Sequence, residues 1–175
     1  GSGGESRRSE AATTSFLAAP DLTANSAPAE PRMLAARSVG EGPSAASSAP
    51  VFSDGDDTLT NAELLTGGVS MLGGNDTLVN GSTIIGLDGV AIDMGSGDDR
   101  VTLLEDSQHF GEIRLGTGDD RLTATEIGQD LVVNAGAGND TVLAGAGDDL
   151  LRGGDGDDLL DGGEGDDALE GGSGN

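Results

Sequence analysis

The stretch AGAGNDTVL (135–143), AGAGDDLLR (144–152), GGDGDDLLD (153–161), GGEGDDALE (162–170) and GGSGN (171–175) decides the fold. It holds four nonapeptides in tandem and the start of a fifth, on the pattern small-Gly-x-Gly-[Asn/Asp]-Asp-x-apolar-x. A nine-residue unit cannot bury a face alone, so such units must stack. The Gly of the Gly-[Asn/Asp]-Asp triplet recurs upstream at Gly55, Gly74, Gly97 and Gly118 before Gly138, Gly147, Gly156, Gly165 and Gly174. The steps are 19, 23, 21 and 20 residues, then 9 throughout. Two nonapeptides make 18 residues, so the longer steps read as whole coils that keep one loop while the opposite loop has degenerated. Gly86-Leu87-Asp88-Gly89-Val90 and Gly128-Gln129-Asp130-Leu131-Val132 read as such degenerate loops, whereas Leu65–Ser70 and Glu105–Gly111 have lost the pattern.

Composition agrees with a solenoid and excludes several alternatives. The 175 residues carry 32 acidic and eight basic side chains, a net charge of -24, with no Cys, Trp, Tyr or Lys. Thiol enzymes, zinc ribbons and Lys-dependent phosphate loops are excluded by these absences. A nucleic-acid surface needs a basic patch that eight Arg among 32 acids do not supply. No run of 18 apolar residues exists to span a membrane as a helix. Residues 1–50 hold all five Pro, five acids and four Arg, and read as a disordered Ala/Ser/Pro-rich linker or leader. A docking helix near Met33 is the alternative there. No apolar stretch of about 7–15 residues follows a basic start, so no signal peptide is expected in this segment. Residues 51–175 hold 27 acids and only four Arg, a net of -23.

The nonapeptide pattern resembles the RTX, or haemolysin-type, calcium-binding repeat family, directly over 135–175. The resemblance implies an all-β, right-handed parallel β-roll or β-helix of about six coils, two short strands per coil, preceded by the disordered segment. The solenoid is expected over 51–175, with long degenerate coils in 51–134 and the regular block in 135–175. Eighth-position residues Leu59, Leu78, Val101, Leu122, Val142, Leu151, Leu160 and Leu169 are expected to point inward as an aliphatic ladder. That ladder supplies a core without aromatics.

The resemblance also implies calcium between loops one coil apart, each loop giving one carboxylate. The expected pairs are Asp140 with Asp158, Asp149 with Asp167, Asp120 with Asp140, Asp99 with Asp120, Asp76 with Asp99, Asp57 with Asp76, and Asp130 with Asp149. Carbonyls of the loop glycines Gly136, Gly138, Gly145, Gly147, Gly154, Gly156, Gly163 and Gly165 complete the ligand set, for about three to seven ions in all. Oxygen-only ligands suit this hard cation, whereas softer metals want Cys or His, and His109 is the sole His. An EF-hand fails, because a frame opened at Asp155 puts Leu159 and Leu160 at positions five and six.

Other features have plainer readings. No carboxylate pair is distinguished from its neighbours, so catalysis is not expected here. His109 is read as a surface residue in a degenerate turn, and the sequons at Asn75 and Asn139 as coincidences within calcium loops. Arg100, Arg114, Arg121 and Arg152 are read as charge relief on outward strand positions, with an anionic glycan as the alternative. Two functions follow from the resemblance. One is a module that folds on extracellular calcium and supports secretion and folding of a larger bacterial protein, through type I secretion machinery. The other is the accessory part of an RTX enzyme, toxin or adhesin whose active domain lies outside this sequence.

Overall fold

The computed structural model describes residues 32–35, 47–48, 50 and 52–174. Among these there is no helix; the residues form two parallel sheets facing each other. The first sheet has seven strands in the order β1 (Arg32–Ala35), β3 (Asp57–Asn61), β6 (Thr77–Asn80), β8 (Arg100–Leu103), β10 (Arg121–Thr123), β12 (Thr141–Leu143) and β14 (Leu159–Asp161). The second has β2 (Ser47–Ser48), β4 (Leu65–Thr66), β7 (Thr83–Asp93), β9 (Gln108–Thr117), β11 (Val132–Ala137), β13 (Leu150–Asp155) and β15 (Ala168–Ser173). An eighth strand, β5 (Val69–Ser70), pairs with β7. From β3 onward the chain alternates between sheets, which makes six coils of a parallel β-solenoid.

Hydrogen-bonded register reproduces the sequence steps. Thr58 pairs with Thr77, Thr77 with Arg100, Arg100 with Arg121, Arg121 with Thr141 and Thr141 with Leu159. Side chains alternate between faces along each strand. Leu59, Leu78, Val101, Leu122, Val142 and Leu151 are therefore fully buried, while Thr60 and Arg100 face out. The second sheet contributes Leu65, Ile84, Ile92, Ile113, Leu115 and Val133 to the same core. Leu115 of β9 and Met94, the residue after β7, are buried in the same core. The apolar core thins toward the other end: beyond Leu151 only Leu160 packs against it, and Leu169 is 47% exposed.

Three readings are corrected by the register. Gly86–Val90 is not an edge loop but a bulge inside β7, with Asp88 and Gly89 at φ 52° and 86°. Its extra residues loop out because Ile84 and Ile92 both keep inward places opposite His109 and Ile113. In the Gly128–Val132 stretch the frame moves by one residue: Val133, not Val132, stands opposite Leu151, and Asp130 aligns with Asp148. His109 lies in β9 opposite Ile84 and is buried, because the strand begins at Gln108 and turns every second residue inward. Burial lowers its pKa to about 4, so the imidazole is neutral at physiological pH.

Of the stretch expected to be a linker, only Arg32–Ala35, Ser47–Ser48 and Pro50 are described. The first two are strands rather than a helix near Met33, β1 pairing with β3 and β2 with β4. The rest of that expectation lies outside the described residues.

Candidate metal sites

Loops leading from the second sheet to the first line one edge of the solenoid. They end on Asp57, Asp76, Asp99, Asp120, Asp140 and Asp158, the sixth position of the repeat. Each carboxylate reaches back one coil. The Asp57 N–H donates to Asp76 Oδ1 at 2.7 Å, Asp76 N–H to Asp99 at 2.7 Å, and Asp99 N–H to Asp120 at 2.8 Å. The series continues with Asp120 N–H to Asp140 at 2.8 Å and Asp140 N–H to Asp158 at 2.9 Å. On the opposite edge Leu131 N–H donates to Asp149 Oδ1 and Asp149 N–H to Asp167 Oδ1. Six of the seven expected carboxylate pairs are thus adjacent. The seventh is corrected: Asp130 is not partnered with Asp149, because Leu131 occupies the inner position there.

The fifth position forms a second ladder of opposite sense, which the sequence pattern displayed without revealing its role. Asn75 N–H donates to Asp56 Oδ1, Asp98 N–H to Asn75, Asp119 N–H to Asp98, Asn139 N–H to Asp119 and Asp157 N–H to Asn139. On the other edge Asp148 and Asp166 bond Asp130 and Asp148 in the same way. One acceptor oxygen suffices for this job, so Asn and Asp serve equally. Along the first edge the sixth position is always Asp, which points to a need for charge.

That need is visible as unpartnered oxygen. The second carboxylate oxygens of Asp76, Asp99, Asp120, Asp140, Asp149 and Asp158 are buried without a hydrogen-bond partner among the described residues, as is Oδ1 of Asp57. Leaving such groups unsatisfied is costly. Burial, reinforced by neighbouring carboxylates, raises the pKa of Asp76 to about 6 and of Asp99 and Asp120 to about 7. Asp140 and Asp149 shift upward for the same reasons.

The glycines stack as tightly as the ladders require. Gly154 and Gly156 have φ of 113° and 140°, and a Cβ on either would lie within 1.9 Å of the carbonyl oxygen of Gly136 or Gly138 one coil away. Only Gly tolerates both the conformation and the approach. At Gly153 and Gly162 the space of a missing Cβ is taken by Oδ2 of Asp158 and of Asp167. Gly145 and Gly163, and Gly147 and Gly165, stack similarly on the other edge. Among the described residues no group of three His, Cys, Asp or Glu side chains converges on one point. The donors are therefore carboxylate pairs beside backbone carbonyls, an oxygen set that fits calcium and offers nothing to softer metals.

Upstream, the second edge is filled differently. Buried Asn61 donates its side-chain amide to Asn80 Oδ1 at 2.8 Å, and the following turns carry Ser107, Ile127 and Leu131 inward. These coils close that edge with amide and apolar packing, and Asn61 and Asn80 were not singled out by the repeat because they belong to the degenerate side.

The family model described as RTX calcium-binding nonapeptide repeat (four copies) matches residues 132–160 and 143–175. No curated protein and no solved structure matches the chain. Ladder, glycine stack and unpartnered carboxylates coincide with that match, so residues 132–175 are a block of RTX calcium-binding repeats within a parallel β-solenoid.

Proposed function

We propose that residues 51–175 form a module that folds on meeting extracellular calcium and supports secretion, folding and stability of a larger secreted bacterial protein. The observation that supports this reading is the column of buried, unpartnered carboxylate oxygens, one per coil along one edge. Six carboxylate pairs are available, five on that edge and Asp149 with Asp167 on the other. Bound calcium supplies the positive charge these pairs need. Six divalent ions would offset about half of the -23 carried by residues 51–175.

The switch follows from magnitudes. A site bound only in the folded state adds RT ln(1+[L]/Kd), about 1.4 kcal/mol at millimolar calcium for a Kd of about 10⁻⁴ M. Several sites together decide folding of a chain with a narrow core. At cytosolic calcium the same sites add almost nothing, and the aligned carboxylates repel. A chain unfolded inside and folded outside suits export through a type I channel, the route that the family implies. The module itself is proposed to be non-catalytic, since its carboxylates recur alike from coil to coil.

Circular dichroism during a calcium titration tests the reading, with magnesium as control. Magnesium demands near-octahedral geometry and gives up water reluctantly, so it should substitute poorly. Full β signal without calcium, or equal action of magnesium, would reject the switch.

A further inference from the structure

Four arginines lie among residues 52–174, and the structure sorts them into two kinds. Arg114 and Arg152 stand on the second sheet and are each ion-paired, Nε to Glu112 at 2.7 Å and Nε to Glu170 at 3.0 Å. Arg100 and Arg121 stand on the first sheet, directly opposite each other in β8 and β10. Their neighbours Val101 and Leu122 are fully buried, so alternation turns both guanidiniums outward. Neither guanidinium has a hydrogen bond or ion pair among the described residues.

Like charges directly opposite on adjacent strands are unfavourable. Residues 51–175 hold 27 carboxylates, yet none of those described pairs with these two side chains. Hydroxyls surround them instead. Thr77 and Thr141 continue the same row on the flanking strands, and Thr102 and Thr123 lie two residues further along β8 and β10. The row Thr77–Arg100–Arg121–Thr141 thus has positive charge at its centre and hydroxyls on both sides, on an open sheet face.

We propose that this face binds an acidic saccharide, with a carboxylate or sulfate group across the two guanidiniums and sugar hydroxyls on the flanking threonines. Guanidinium forks match planar oxyanions, and threonine hydroxyls both donate and accept. Nucleic acid fits less well, because this face offers no aromatic stacking platform. The site lies on strand positions facing away from the core, each arginine directly following a carboxylate of the column, Asp99 or Asp120, whose side chain turns to the opposite, buried side.

The test is a binding titration of the full chain in saturating calcium, followed by NMR and calorimetry. The probes are trigalacturonate, a sulfated heparin tetrasaccharide, neutral maltotriose, inorganic sulfate and a single-stranded DNA oligomer. Saturable binding of trigalacturonate or the sulfated probe is expected, distinguishing carboxylate from sulfate preference, with shifts centred on Arg100, Arg121 and their threonines. R100Q/R121Q should weaken it about tenfold, whereas R114Q/R152Q should leave it within about twofold. Equal loss in both variants would show a mere net-charge effect and overturn the site; loss in neither would show calcium bridging and overturn it too. No acidic-saccharide binding, equal binding of maltotriose or sulfate, or tighter binding of DNA would also overturn it. Circular dichroism checks that each variant folds. Should R100Q/R121Q not fold, R100K/R121K keeps the charge but loses the fork, and undiminished binding there would overturn the site.

Discussion

Replacing Asp120 by Asn should change stability in opposite directions with and without calcium. Asp120 sits mid-column: its Oδ1 accepts the Asp99 N–H at 2.8 Å, its own N–H donates to Asp140, and Oδ2 is buried without a partner. Asn keeps shape and the Oδ1 acceptor, so the change isolates charge. Two carboxylate pairs share Asp120, and each site adds about 1.4 kcal/mol at millimolar calcium, so the loaded fold should lose about 3 kcal/mol. In the ion-free fold burial holds the carboxyl near a pKa of about 7, so its charged form is a burden at pH 8. Removing that burden should stabilise the ion-free fold by about 1 kcal/mol, after allowing for solvent screening at the loop. Urea unfolding in excess calcium gives the first value. Unfolding in chelator with trimethylamine N-oxide, which favours the compact state, gives the second. Destabilisation of similar size in both conditions would mean that Asp120 acts through packing and not through charge.

Acid should partly replace calcium: Asp76, Asp99 and Asp120 have folded pKa values of about 6, 7 and 7, above the ordinary carboxylate value of 3.8. The ion-free fold therefore binds more protons than the unfolded chain between about pH 4 and 7, gaining stability as pH falls through that window and losing it as pH rises. Calcium affinity should run the other way, since its ligands must be deprotonated; a calcium-free β signal no greater at pH 4.5 than at pH 8 would contradict this. Leu122→Ala, in a fully buried ladder position, should cost about 2–5 kcal/mol in urea unfolding, whereas Leu169→Ala, at a half-exposed one, should cost well under about 1 kcal/mol. Equal costs would mean that the ladder does not thin toward its end. Gly156→Ala should raise the calcium midpoint severalfold, because its Cβ would lie 1.8 Å from the Gly138 carbonyl oxygen; an unchanged midpoint would show that the stack yields.

Much of this architecture was legible because stacking fixes the spacing. A step of 18 residues returns each side chain to its own position, so Leu151 predicts Leu169 and Asp149 predicts Asp167. Applied upstream, the same step leads from Leu151 to Val133 and from Asp149 to Leu131, which is the register observed. The Gly128 frame obscured this, since Gly-x-Asp-x-apolar matches locally while lying one residue out of step. Gly86–Val90 misled for a related reason: a bulge also favours Gly and Asp at positive φ, so composition alone does not separate a bulge from a loop. The inward position of His109 had a usable signal in the alternation His109, Gly111, Ile113, Leu115, which continues one face of β9. The fifth-position ladder was not legible, because a side chain accepting a backbone N–H one coil away leaves only an Asn/Asp preference in the sequence. Neither was the sorting of the arginines, which depends on which carboxylates the folded register places within reach.

On the proposed reading, one edge of the solenoid is a calcium column while the other is closed by packing over most of its length. A crystal structure grown in calcium, with ions located by anomalous scattering, tests this most directly. Ions should lie between successive carboxylates from Asp57 to Asp158 on one edge, and on the other only between Asp149 and Asp167. Ions beside Asn61, Asn80 or Leu131, or none beside Asp76, Asp99 and Asp120, would contradict it.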